Sequence, residues 1–169
     1  MSRLIVGLVL CLLVVSSALA LPPGRESVGS DLGNDSIASD EAAVKAAVER
    51  FLLAIGDRDL DALPAMFTAN ANIGVARVRD DEWHAITYTF EEFHSMLKSR
   101  INSAKYQEPV SHFTVHVERG ALAFVRADAT LIRDGQPRSN NIDYFTLLKD
   151  DGVWKFLSAS YVSTRIVRE

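Results

Sequence analysis

The chain has 169 residues, a formal net charge of −4 and a single cysteine, and 48% of its residues are hydrophobic. That length suits one domain. An acidic chain with scattered Lys and Arg carries no nucleic-acid footprint, and one cysteine supports neither an internal disulfide nor a Cys-based metal site.

Residues 1–20 read as a signal peptide. Arg3 supplies a short positive n-region, Leu4 to Val15 is apolar, and Ala18-Leu19-Ala20 fits a small-x-small cleavage site. The apolar run is shorter than the roughly 20 residues of a membrane span. Cys11 lies within it and would be lost on cleavage after Ala20. The expected product is secreted or periplasmic and makes no membrane contact after cleavage; a retained anchor is the alternative. Loss of Arg3 would move the formal charge from −4 to −5. Residues 21–38 carry Pro-Pro-Gly, Ser and Asp with isolated apolar residues and read as a flexible linker. The folded domain is expected over residues 39–169.

Asp40 to Ile55 is the first expected helix, with Val44, Ala47, Val48, Phe51, Leu52 and Ile55 on one apolar stripe and Gly56 at its C-cap. A second, shorter helix is expected from about Asp59 to Phe67, limited by Pro64. Asn72 to Val78 and Trp83 to Tyr88 read as short strands around a polar turn. Thr89-Phe90-Glu91-Glu92 then matches a capping box that opens a third helix.

From Val110 the period changes to long strands, roughly 110–118, 121–133, 138–149 and 153–166. Arg119-Gly120, Asp134-Gly135 and Asp150-Asp151-Gly152 separate them. Helices first and a meander last indicate an α+β domain with helices on one face of a sheet.

Hairpin spacing assigns side chains to faces, because directly opposed residues point the same way. With two-residue turns at Arg119-Gly120 and Asp134-Gly135, His112, Thr114 and His116 share a face with Ala123, Val125, Ala127, Ala129, Ile142, Tyr144 and Thr146. That face is expected to line a polar pocket. The opposite face would carry Phe113, Phe124, Phe145 and Leu147, and an uncovered apolar face of this kind suggests a homodimer through the outer sheet. On this face Asp128 and Asp143 would pair with Arg126 or Arg133. The last strand has two facings. A four-residue loop after Lys149 brings Tyr161 beside Tyr144, and a three-residue loop brings Trp154, Phe156 and Ser158 there instead.

The element order and two segments, "AVERFLLAIGDRDLDALPAMFTANA" and "NIDYFTLLKDDGVWKFLSASYV", resemble the nuclear transport factor 2-like superfamily across about residues 40–166. That superfamily includes SnoaL-like polyketide cyclases, ketosteroid isomerases and lumazine-binding-type proteins. The resemblance implies a cone-shaped, cystatin-like fold: three helices packed on a curved mixed or antiparallel sheet, a ligand cavity between them, and commonly a dimer across the sheet. Compared with the isomerase pattern, Phe51 falls where those enzymes have an oxyanion tyrosine, and Val75 where they have the base aspartate. Tyr144 falls at the protonated aspartic acid, with Asp143 one position away and pointing oppositely unless a bulge intervenes. Steroid-isomerase chemistry is therefore not expected.

The residues expected around the pocket are Phe51, Trp83, His94, His112, His116, Tyr144 and Tyr161. A metal on His112 and His116 would need His84 or His94 as a further ligand, and no helical H-x-x-x-H or paired carboxylate supports one, so neither metal nor cofactor is expected. The expectation is a binding module for a small, partly apolar molecule, with no catalytic residue assigned. A lyase, isomerase or hydrolase using a cavity histidine and Tyr144, and an interaction domain with a closed cavity, are the alternatives.

Overall fold

The computed structural model describes residues 30–79 and 81–167. The signal-peptide reading and most of the linker reading fall outside these residues. Helix α1 spans Ser30–Asp57, so residues 30–38, expected as linker, are helical. Ser36 to Ser39 are exposed and the buried stripe starts only at Val44. Apolar periodicity locates where burial begins, and α1 begins before it. The expected stripe is buried throughout, from Val44 to Ile55.

The second expected helix is only a 3-10 turn, Leu63–Met66, with Pro64 in its first positions. Proline lacks the N–H that a longer α-helix would need there. The chain enters strand β1, Phe67–Arg79, directly afterwards. Strand β2 is Glu82–Thr89, and helix α2 is Phe90–Ser99. The capping box forms as expected: the Glu92 N–H donates to Thr89 Oγ1 at 3.2 Å, and the Thr89 N–H donates to Glu92 Oε2 at 2.8 Å. The described residues thus hold two α-helices and one 3-10 turn, rather than three helices.

Strands β3 (Val110–Glu118), β4 (Leu122–Arg133), β5 (Gln136–Asp150) and β6 (Val153–Arg165) complete a six-stranded sheet in the order β2-β1-β6-β5-β4-β3. Only β1 and β6 pair in parallel, so the sheet is mixed. The helices cover one face. Phe51 of α1 meets Phe67, Phe145 and Phe156 of three strands at ring-centroid distances of 5.2, 5.9 and 5.0 Å.

Three of the sheet's one-residue irregularities set the facing of the side chains that matter here. Arg119 and Gly120 both have positive φ, as a tight hairpin turn requires. Ala121 is an extra residue: its N–H donates to the Glu118 carbonyl, its carbonyl accepts from Lys149, and pairing starts at Glu118 opposite Leu122. In the next hairpin Arg133 pairs with Gln136 as expected, but the register then slips at Arg138. Pro137 has no N–H for the ladder, and Ile132 opposite it exchanges both backbone hydrogen bonds with Gln107 instead. Leu157 is the third extra residue, in β6.

The first two slips turn β3 and β5 over relative to β4. His112, His116 and Tyr144 still share a face, but it is the outer one, beside Phe124 and Arg126. Ala123, Val125 and Ala127 lie on the covered face with Asp143, Phe145 and Leu147. Of the apolar residues expected outside, only Phe124 is there, and Phe145 and Leu147 are buried. The bulge at Leu157 reconciles the two facings of β6, since Trp154 and Phe156 are buried before it and Ala159 and Tyr161 face the same side after it.

Gly56 is not a cap but lies inside α1, where a Cβ would collide with the Tyr106 carbonyl oxygen. The Tyr106 N–H donates to the Gly56 carbonyl at 3.1 Å and fixes the segment ahead of β3 against the helix. In an unobstructed helix, Gly→Ala stabilises by about 0.5–1 kcal/mol. Here Gly56→Ala is expected to destabilise by more than about 1 kcal/mol, read as a lower midpoint in urea. A midpoint equal to or above that of the wild type would refute the close approach.

Candidate functional site

A cavity of about 290 Å³ lies between α1, α2 and the covered face of the sheet. This is near the lower end for ligand pockets, roughly 300 Å³. Phe51, Leu52 and Ile55 of α1, Phe93 and Leu97 of α2, and Phe145 of β5 form its apolar wall. Its acid, amide and phenol groups come from β5, β6 and the segment before β3: Tyr106, Glu108, Asn141, Asp143 and Tyr161, with Arg77, Arg100 and Arg133 also in the lining.

Local sequence explains how these groups arrive there. Backbone hydrogen bonds join Tyr106 to Gly56, and Gln107 to Ile132 in both directions, so the segment runs extended along the end of β4. Pro109 also holds Glu108 in an extended conformation. Alternation along an extended chain then sends Tyr106 and Glu108 to the same side. On β5 the bulge at Arg138 gives Asn141, Asp143 and Phe145 the cavity-facing alternation. The Asn141 amide donates to Glu108 Oε1 and ties the two elements together.

Asp143 is the chemically distinctive group. It is 4% exposed, and its Oδ2 has no hydrogen-bond partner among the described residues. Burial raises its carboxyl from 3.8 to about 8, with the charges of Glu108 and Asp128 adding to the effect. An ionised carboxylate held in apolar surroundings without a partner is costly, so near neutral pH this group keeps its proton. A protonated carboxyl is a hydrogen-bond donor as well as an acceptor. Burial also raises Glu108, while the Asn141 hydrogen bond opposes that shift. The Tyr161 hydroxyl is raised by burial and by Glu108, with Arg77 opposing, and Tyr106 is raised further. Both phenols therefore also remain neutral donors.

Of the residues expected at the pocket, Phe51 and Tyr161 line the cavity. Tyr144 is 49% exposed on the outer face. His112 and His116 are exposed there too, His116 beside Glu118 at 3.5 Å and His112 beside Thr114 at 3.5 Å. Trp83 is 63% exposed on the edge strand β2. His94 bonds the Leu60 carbonyl through Nε2 at 2.8 Å and stacks on Phe90, anchoring α2 to the chain before the 3-10 turn. The expected pairing of Arg126 with Asp128 is present on the outer face at 2.8 Å, but Asp143 is inside. Among the described residues no group of three or more His, Cys, Asp or Glu could hold a metal. None of their helices is long and apolar enough to cross a membrane.

Sequence reasoning missed Glu108, Tyr106 and Asn141. The available signals were Pro109 after Glu108 and the alternation Asn141-x-Asp143-x-Phe145 once a bulge is allowed at Pro137-Arg138.

The folded chain holds the Asp143 proton to about pH 8, whereas the group's ordinary value is 3.8. Between those values the folded state binds more protons than the unfolded state, so stability falls as pH rises. Glu108 acts in the same direction. Asp143→Asn removes one titrating group, and the decline in urea midpoint across this window is expected to become shallower. An unchanged slope would show that Asp143 is ionised in the folded protein.

A family model described as "Putative lumazine-binding" matches residues 39–162. None of the curated proteins matches the chain. Several solved structures share the fold. An NTF-2-like protein of unknown function from Silicibacter pomeroyi is 20% identical, with 76% of this chain and 98% of that one covered at a TM-score of 0.57. A protein titled a putative scytalone dehydratase, from Novosphingobium aromaticivorans, is 17% identical, with 80% and 93% covered at 0.61. LinA is 14% identical, with 78% and 90% covered at 0.63. At these identities the structures speak for the architecture alone, a nuclear transport factor 2-like, cystatin-like cone. The family model spans most of the chain, from the buried half of α1 to Val162, and the chain belongs to the putative lumazine-binding family of the nuclear transport factor 2-like superfamily.

Proposed function

We propose that this protein is a secreted or periplasmic binding protein that holds a small, partly apolar molecule in its cone cavity. The observation that carries the reading is Asp143: a buried acid whose Oδ2 has no partner among the described residues, in a cavity it shares with the apolar side chains of Phe51, Leu52, Ile55, Phe93, Leu97 and Phe145. Buried polar atoms are nearly always paired in native proteins, and an exception at a cavity marks a functional group. The neutral acid donates to a ligand carbonyl or ether oxygen, and the apolar wall takes the rest of the molecule. Residues 1–20 support export, and the family's description supports a small-molecule ligand.

2-Acetonaphthone is a suitable probe, since it joins an aromatic body to one carbonyl. Titrated into ¹⁵N-labelled protein, it is expected to shift Phe93, Asp143, Phe145 and Tyr161 saturably. Asp143→Leu removes the donor and should weaken binding about fivefold, equivalent to roughly 1 kcal/mol for one hydrogen bond. No saturable shift at any of these residues sinks the reading.

The outer face supports a second proposal, a homodimer through the sheet. Phe124, Tyr144 and Leu157 are all exposed there, and an apolar patch of this kind commonly marks an interface. Light scattering at micromolar concentration is expected to give twice the chain mass, and Phe124→Glu to give the monomer. A monomeric wild type would remove the proposal.

A further inference from the structure

The covered cavity has one charged side. Arg77 of β1, Arg100 at the end of α2 and Arg133 at the end of β4 all line it, and all three are exposed. Phe51, Phe93, Asp143 and Phe145, on the opposite part of the lining, are buried. The arginines therefore mark where the cavity meets solvent, and the buried acid marks its depth. They come from three separate elements, so their presence in one lining is tertiary and does not reflect a basic run in the chain.

None of the three arginines has an ion-pair partner among the described residues. Elsewhere the chain's cations are commonly matched: Lys149 to Asp40, Lys155 to Asp150, Arg126 to Asp128, Lys105 to Asp57. The chain as a whole is acidic, with 22 Asp and Glu against 18 Lys and Arg. A local excess of unmatched cations at the mouth of a cavity runs against that balance. Glu108 and Asp143 are the only carboxyls in the lining. Glu108 is already engaged by Asn141, and burial favours the neutral form of both.

Solvated surface arginines are common, and exposure alone would not set these three apart. Their shared cavity does, because apolar walls focus the field of like charges at a cleft mouth. Guanidinium groups also suit carboxylate and phosphate oxygens, which they can bind in pairs.

We propose that the cavity selects an amphipathic organic anion: a flat apolar body, a neutral oxygen acceptor at the buried end facing Asp143, and an anionic group at the open end among Arg77, Arg100 and Arg133. This rests on the binding reading above and adds polarity and orientation to the ligand. An uncharged ligand of the same shape enters but loses the contacts at the mouth. A small inorganic anion gains those contacts but leaves the aromatic wall unfilled.

The test compares two probes that differ in one group, 2-acetonaphthone and 6-acetyl-2-naphthoate, by calorimetric titration of the folded protein. The naphthoate is expected to bind roughly tenfold more tightly at low ionic strength. That advantage should shrink in about 0.5 M NaCl, as expected for partly exposed charges. In the triple variant R77Q/R100Q/R133Q the preference should collapse. In a triple variant of equal charge change outside the cavity, R119Q/R138Q/R165Q, it should persist. Urea midpoints of both variants establish that they are folded. If both probes bind the wild type equally, or the preference survives in the first triple variant, the anion proposal is overturned while the binding reading stands. If neither probe binds, the binding reading has failed and takes this proposal with it.

Discussion

The contact of Phe51 with Phe67, Phe145 and Phe156 holds this structure together. It joins α1 to β1, β5 and β6, with Phe145 and Phe156 also packed on each other at 5.4 Å. Phe90 continues the cluster by stacking on Phe67 at 4.5 Å, which brings in the first turn of α2. Edge-on and tilted ring contacts of this kind fill space densely and add to plain area burial. Both helices rest on this cluster, and two of its members, Phe51 and Phe145, also line the cavity.

Polar groups can occupy that space only because strand irregularities deliver them. A regular β-strand alternates with period two, so one extra residue exchanges the faces of everything beyond it. The bulge at Arg138 decides that Asp143 faces the cavity and Tyr144 faces outward. The bulge at Leu157 lets β6 contribute Trp154 and Phe156 to the core and Tyr161 to the cavity. Without the first, the cavity would have a phenol in place of a buried acid. Without the second, either the core would lose Phe156 or the cavity would lose Tyr161. The functional chemistry of this fold is set by register rather than by a local motif.

Burying Asp143 has an energetic consequence as well as a chemical one. A carboxyl shifted to about 8 lowers the stability of the folded state at neutral pH relative to an acid left in water. Leu, which is close to Asp in shape, would avoid that cost at this position. An acid kept there, beside Glu108 and with an oxygen unmatched, is more economically explained by a ligand than by packing. Family relatedness is consistent with a ligand but does not specify it, since similar cones carry different side chains inside them.

Much of the architecture was legible from residue order. The apolar stripe of α1, the Thr89 capping box, the turns at Gly120, Gly135 and Gly152 and the long final strands follow from local rules, because hydrophobic periodicity and turn chemistry act over a few neighbouring residues. The co-facing of His112, His116 and Tyr144 was legible too, although its side was inverted. What only tertiary structure decided was that side. Ala121, Arg138 and Leu157 each add one residue to a ladder, and the first two sit beside contacts distant in sequence: the Lys149 N–H donates to the Ala121 carbonyl, and Gln107 takes both backbone hydrogen bonds of Ile132 next to the slip at Arg138. Tyr106, Glu108 and the three arginines likewise come together across long sequence separations. The sequence by itself determined most of the elements, their order and the superfamily, since these depend on local pattern; the second expected helix proved a 3-10 turn and α1 began earlier than its apolar stripe. The identity of the groups inside the cavity depended on non-local hydrogen bonding, where a shift of a single residue reverses the answer.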